Sequence, residues 1–125
     1  MLVNLVEILN LAEEKHFAVG AFNTPNLECI LAVVDTAEML NVPVILSHAQ
    51  LHEDVAPLDK IGPVMLEAAR RANVPVCVHL DHCETLDYMA RALELGFSVV
   101  LYAGRTLPYA GNLENTNKAV ALSQG

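Results

Sequence analysis

The chain has 125 residues, enough for one domain with a real core and too few for two. Fifteen acidic residues against seven lysines and arginines, a net charge of -8, leave no basic footprint for nucleic acid, so DNA and RNA are excluded as expected partners. An apolar fraction of 54% is high for so small a domain and leaves surface over for a partner chain.

The chain opens on the apolar Met1-Leu2-Val3-Asn4-Leu5 with no basic region before it, and Glu7, Glu13 and Glu14 follow, which is not the pattern of a signal peptide. No uncharged apolar stretch reaches the roughly 18 residues of a membrane span, so a soluble, cytoplasmic protein with no membrane partner is expected. Cys29, Cys77 and Cys83 are odd in number and sit inside apolar or helix-like segments, which fits a reducing compartment better than a disulfide framework.

The first strand-like run is "FAVGAFN" (17–23), ending in Asn23. Asn26 is a plausible N-cap for a helix in which Leu27, Ile30, Leu31, Val34 and Met39 recur at near-helical spacing. A second apolar run, "VPVILSH" (42–48), precedes "PLDKIGPVMLEAARRAN", where Val64, Met65, Ala68 and Ala69 face one way and Arg70 and Arg71 suit the helix C-terminus. The third run, "VPVCVHLDH" (74–82), leads into "TLDYMARALELG", with Thr85 as cap and Gly96 as stop. "GFSVVLYAG" (96–104) is the fourth, and "NLENTNKAVALSQG" from Asn112 begins another helix. Such β-branched, almost continuously apolar runs suit strands buried on both faces.

Strand and helix therefore alternate about four times at the βαβ spacing of about 30 residues, which predicts an α/β fold with a parallel sheet and helical crossovers. Gly-Xaa-Gly-Xaa-Xaa-Gly is absent, so a dinucleotide-binding domain loses its main support. A (β/α)8 barrel needs about 250 residues, and four βα units make half of one.

In parallel sheets chemistry gathers at the carboxyl ends of the strands, where His79, Asp81 and His82 are expected. On a strand His79 and Asp81 point to one face, while His82, at the turn, can swing into the mouth. An imidazole there can ligate zinc, and the carboxylate can move a proton on a carbon next to a polarised carbonyl. The alternative is structural: Asp81 caps the next helix and the histidines bond to backbone. His48 and His52, beside Glu53 and Asp54, have the i, i+4 spacing of two zinc ligands on one helix face, or belong to a solvated loop. Asn23 either holds a substrate hydroxyl or phosphate oxygen or caps the turn before Pro25.

"VPVCVHLDHCETLDYMARALELGF" (74–97) resembles the class II, zinc-dependent ketose-bisphosphate aldolases, and "AVGAFNTPNLE", "VPVIL" and "TLPYAGNLENTNKAV" support the resemblance in the same order along the chain. It implies a (β/α)8 barrel, usually dimeric or tetrameric, that reversibly cleaves a ketose 1,6-bisphosphate, fructose- or tagatose-, into dihydroxyacetone phosphate and glyceraldehyde 3-phosphate in carbohydrate metabolism. It implies Asp81 as the acid/base residue at the aldehyde-side hydroxyl, His82 as the first ligand of Zn2+, and Asn23 as a substrate contact. The zinc would polarise the ketone and stabilise the enediolate.

Departures stand beside these matches. The family usually has Asp-Gly-Ser after the fourth strand, where this chain has Ala103-Gly104-Arg105, and a pair of glutamates where Ala110 and Gly111 stand. Cys83 replaces a usual Gly, and "SHAQLHED" offers no clear serine match after the second strand. The family's other two histidine ligands and its Gly-rich phosphate loop lie in the barrel's second half. The expectation is that residues 1–125 are the N-terminal half of such a barrel, inactive alone and associating with a C-terminal half or with copies of itself; the alternative is a noncatalytic half-barrel serving as an interaction module.

Overall fold

The computed structural model describes residues 1–124. Four strands alternate with helices: α1 (Leu5–Lys15), β1 (Gly20–Asn23), α2 (Leu27–Leu40), β2 (Val44–Ala49), α3 (Leu58–Arg71), β3 (Val76–Cys83), α4 (Leu86–Leu95), β4 (Val99–Tyr102) and α5 (Tyr109–Ser123), with a 3-10 turn at Gln50–His52. The helix boundaries have local causes. The Asn26 side chain accepts the Cys29 N–H at the start of α2, Thr85 accepts the Tyr88 N–H at the start of α4, and Gly96, at φ +102°, ends α4 in a left-handed turn.

All neighbouring strands are parallel and lie in the order β1-β2-β3-β4. Doubly wound folds reverse their strand order at a switch point; an unbroken sequential order is the wall of a barrel, here half of one. β2 is buried along its whole length, whereas all four residues of β1 are exposed and β4 is only partly covered, so the wall has two open edges.

Alternation along the strands separates two cores. Val44 and Leu46 of β2 and Val76, Val78 and Leu80 of β3 pack with α2, α3 and α4 in the main cluster, together with Ile30, Met65, Leu66 and Met89. Ile45 and Cys77 face the other way and pack with Ile8 of α1, joined by Val3, Leu5, Val19 and Val99. Helix α1 thus covers the amino end of the sheet's second face and leaves the carboxyl end of that face open.

The four strands and three of the helices follow the sequence pattern, with each strand starting two or three residues later than expected. Two corrections stand out. Helix α1 is an addition to the expected elements, and Asn4 and Glu7 form a reciprocal capping box at its start. Helix α5 begins at Tyr109, directly after Pro108, three residues before Asn112. Among the described residues no helix is long and apolar enough to cross a membrane.

Candidate functional site

Strand register brings the chemistry-bearing residues together. Asn23 pairs with Ser47, Ser47 with His79 and His79 with Val99, making one row across the carboxyl end of the sheet. These side chains share the face of Ile45 and Cys77, the face that α1 leaves open. The next row pairs Ala49 with Asp81. Ser47 Oγ lies 3.4 Å from His79 Nδ1. Burial lowers the pKa of His79; Asp81 pulls it back up and His82 pushes it down, and the net shift is downward, so the imidazole is neutral at pH 7.

His82 is placed by a bulge, not by the turn that the sequence suggested. Leu80 pairs with Val100 and Cys83 with Tyr102, so Asp81 and His82 together stand opposite the single residue Leu101. His82 has φ +46°, in the left-handed region that non-glycine residues seldom occupy. Strict alternation would send His82 to the helix side with Leu80. The extra residue instead turns its ring to Asp81, with Nε2 3.6 Å from Oδ1; the Asp81 side chain is 24% exposed and that of His82 48%. The usual family Gly at position 83 is not required by the backbone, since the left-handed residue is His82 and not Cys83.

The His48–His52 pair is not a metal site on a helix. His48 lies in β2, paired with Leu80 and facing the helix layer, and His52 ends the 3-10 turn, the two rings 6.4 Å apart. The solvated-loop reading fails for His48 as well, because the residue is 1% exposed. Its Nε2 is 2.8 Å from the Tyr88 hydroxyl, which donates to Glu53 Oε2 at 2.5 Å; since that hydroxyl proton is committed to Glu53, Nε2–H is the donor to Tyr88. Glu53 Oε2 also accepts the Leu58 N–H at the start of α3, and Arg91 bridges Glu53 and Asp59 while lying over the Tyr88 ring. Burial raises the Glu53 pKa, but the bonds from Tyr88 and Leu58 and the charge of Arg91 reverse this and leave it lowered. Burial and the Glu53 carboxylate raise the Tyr88 pKa, which keeps the phenol protonated.

This arrangement predicts a pH dependence. Burial lowers the pKa of His48, against the pull of Glu53 and with help from His52, and His79 is lowered too, both from 6.5. Between the lowered folded values and 6.5 the unfolded chain binds protons that the folded chain refuses, so stability rises with pH through that window and is lost on acidification. The thermal midpoint is expected to fall between about pH 7.5 and about pH 5.5. His48→Gln, which keeps a donor toward Tyr88, should flatten part of that slope; a midpoint independent of pH in this range would contradict the buried neutral histidines.

Ser47, Gln50 and the Tyr88–Glu53 pair have no motif in the sequence. Only the cross-strand register and the contacts of Tyr88 and the start of α4 with the residues at and just past the end of β2 reveal them. Cys77, pushed up to about 11 by burial, is a neutral core thiol. A cavity of about 480 Å3 lies away from the strand-end row, lined by apolar side chains of β1 and α2 such as Phe22, Val33 and Leu40. It marks the open edge of the wall and not the place of the chemistry.

The described residues nowhere bring three His, Cys, Asp or Glu side chains into metal-binding range of one another. One imidazole beside a carboxylate does not hold a catalytic zinc, which takes three protein ligands. By themselves the described residues do not fit the metal.

A parallel β/α wall in sequential strand order, with a carboxylate and an imidazole bulged side by side at its carboxyl edge, defines half of a (β/α)8 barrel. Residues 3–125 match the family described as "Fructose-bisphosphate aldolase class-II", and the chain belongs to that family. It is 34% identical over 125 residues to the fructose-bisphosphate aldolase of Giardia intestinalis, covering 98% of this chain and 38% of that protein. It is 35% identical to the probable fructose-bisphosphate aldolase of Bacillus subtilis, covering 98% and 44%. The crystal structure of the YdjI aldolase from Escherichia coli K12 superposes with a TM-score of 0.88 at 28% identity, over 97% of this chain and 47% of that one. The chain thus spans less than half the length of each of these relatives.

Proposed function

We propose that this chain is the N-terminal half of a cytoplasmic aldolase-type lyase of carbohydrate metabolism. The reaction is reversible cleavage of a ketose 1,6-bisphosphate, fructose- or tagatose-, to dihydroxyacetone phosphate and glyceraldehyde 3-phosphate. Asp81 takes the proton of the aldehyde-side hydroxyl as the adjacent carbon–carbon bond breaks; the electron pair stays on the ketone fragment as an enediolate, and the aldehyde leaves. Asn23, in the row with Ser47 and His79, contacts substrate. Zn2+ is the proposed cofactor, with His82 as this half's ligand and the others outside the chain. The observation that carries the reading is the bulge that sets Asp81 beside His82 in a member of the aldolase family.

A second reading, a noncatalytic half-barrel that pairs with itself or another protein, is favoured by one observation. The chain just past β4 carries Ala103, Gly104 and Arg105, and the first turn of α5 carries Ala110 and Gly111, so no carboxylate stands there. Helix α1 weighs against symmetric self-closure. It lies across the amino end of the barrel-facing side of the sheet, and a twofold barrel would place two such helices at one floor.

The test is the product of the natural gene, at whatever length it is made, assayed with both bisphosphates. Release of dihydroxyacetone phosphate that stops on chelation of metal is the expected result. A product of 13.5 kDa that releases none with micromolar zinc present would favour the second reading.

A further inference from the structure

The residues that hold the bulge in place lie outside the proposed chemistry. Directly after β2, Gln50 reaches across to the segment that follows His82. Its Oε1 accepts the Glu84 N–H at 2.8 Å and the Thr85 N–H at 3.2 Å, and lies 3.6 Å from Cys83 Sγ. Its Nε2 donates to Thr85 Oγ1 at 3.3 Å. The Cys83 thiol also donates to the Thr85 carbonyl at 3.1 Å. One amide side chain therefore contacts three consecutive residues immediately beyond a residue held at φ +46°.

A left-handed non-glycine residue is disfavoured and persists only where its surroundings fix it. On one side His82 is fixed by the β3 ladder. On the other the Ala103 N–H bond to the Cys83 carbonyl, at 2.7 Å, and the Gln50 bonds are what fasten the chain. Without the Gln50 bonds, Glu84 and Thr85 can relax, and His82 with them, toward the alternating geometry that turns its ring away from Asp81.

We infer that Gln50 is a positioning residue: its side-chain amide fastens the chain just past the bulge and thereby holds His82 beside Asp81. Whether that arrangement serves an aldolase rests on the proposed function, but the clamp itself is testable without activity.

The experiment is amide hydrogen exchange and NMR on the full chain and three variants. In Gln50→Ala the Glu84 and Thr85 amides are expected to exchange about tenfold faster. The His82 amide and ring signals should shift, with exchange of Leu46 and Val78 in the sheet unchanged. Gln50→Asn, one methylene too short, should behave as Gln50→Ala. Gln50→Glu keeps the acceptor and should restore slow exchange and the original His82 signals.

Unchanged exchange at Glu84 and Thr85 in Gln50→Ala would overturn the inference. So would freed amides with His82 signals at their original positions, because Gln50 would then be only a cap for α4. If Gln50→Ala does not fold, the comparison of Gln50→Asn with Gln50→Glu decides in the same way. An inactive gene product with an intact clamp would sink the aldolase reading and leave this one standing.

Discussion

With Asp81 in the proposed acid/base role, its replacement by Asn in the natural gene product is expected to lower kcat for aldol cleavage by about 10²- to 10⁴-fold, the usual contribution of a positioned acid/base group, with KM changed by only a few-fold. The amide has the size and shape of the carboxylate but cannot accept the hydroxyl proton. The fold should not notice: Asp81 is partly open to solvent, and its near contact is the His82 ring at 3.6 Å. Steady-state kinetics and a thermal melt together check this. Full activity would remove Asp81 from the chemistry, and lost activity with a lowered midpoint would mean a structural role instead. His79 is the competing base, neutral and two residues away on the same face. It is held by Ser47 at 3.4 Å and sits deeper in the sheet, so His79→Gln should cost less than Asp81→Asn.

Strands β2 and β3 were legible because each is a short, mostly buried run, which writes a continuous apolar signal, and β1 and β4 carry apolar runs of the same kind although here they are exposed or only partly covered. Helices α2 and α4 were legible because Asn26, Thr85 and Gly96 punctuate an amphipathic repeat. Helix α1 carries its own signal, Asn4 followed by Glu7, a reciprocal cap that the apolar start of the chain does not announce as a helix. The position of Asp81 and His82 at a strand end was legible as well. That they sit side by side was not, because a bulge is a mismatch between two strands, and one strand's sequence does not contain it. The same limit hid the faces of the histidines. The i, i+4 spacing of His48 and His52 presumes a helix, whereas the chain there is a strand running into a 3-10 turn, and period-2 alternation puts His48 behind the sheet from His79.

The division of the sheet into a finished face and an open one predicts opposite outcomes for two leucines of neighbouring strands. Leu80 is fully buried in the main cluster, between the helix layer and β3. Leu80→Ala should cost about 2–5 kcal/mol, the range for emptying a tightly packed core position. A domain of this size has roughly 5–15 kcal/mol in total, so the variant is expected to be partly unfolded at 37 °C even though neither Asp81 nor His82 is altered. Leu101, one residue past Val100 in β4, lies on the other face and is 41% exposed. Leu101→Ala should change the stability of this chain by less than about 1 kcal/mol. If a second half closes the barrel, that face becomes interior, and in the closed protein the cost of Leu101→Ala should rise toward the core range while that of Leu80→Ala stays the same. Urea unfolding of both variants, in the 125-residue chain and in the longest natural product, separates the cases. A Leu101→Ala cost equally small in both would mean that the face bearing Asp81 remains open to solvent, and that no closed barrel mouth shields Asp81 and His82 from water.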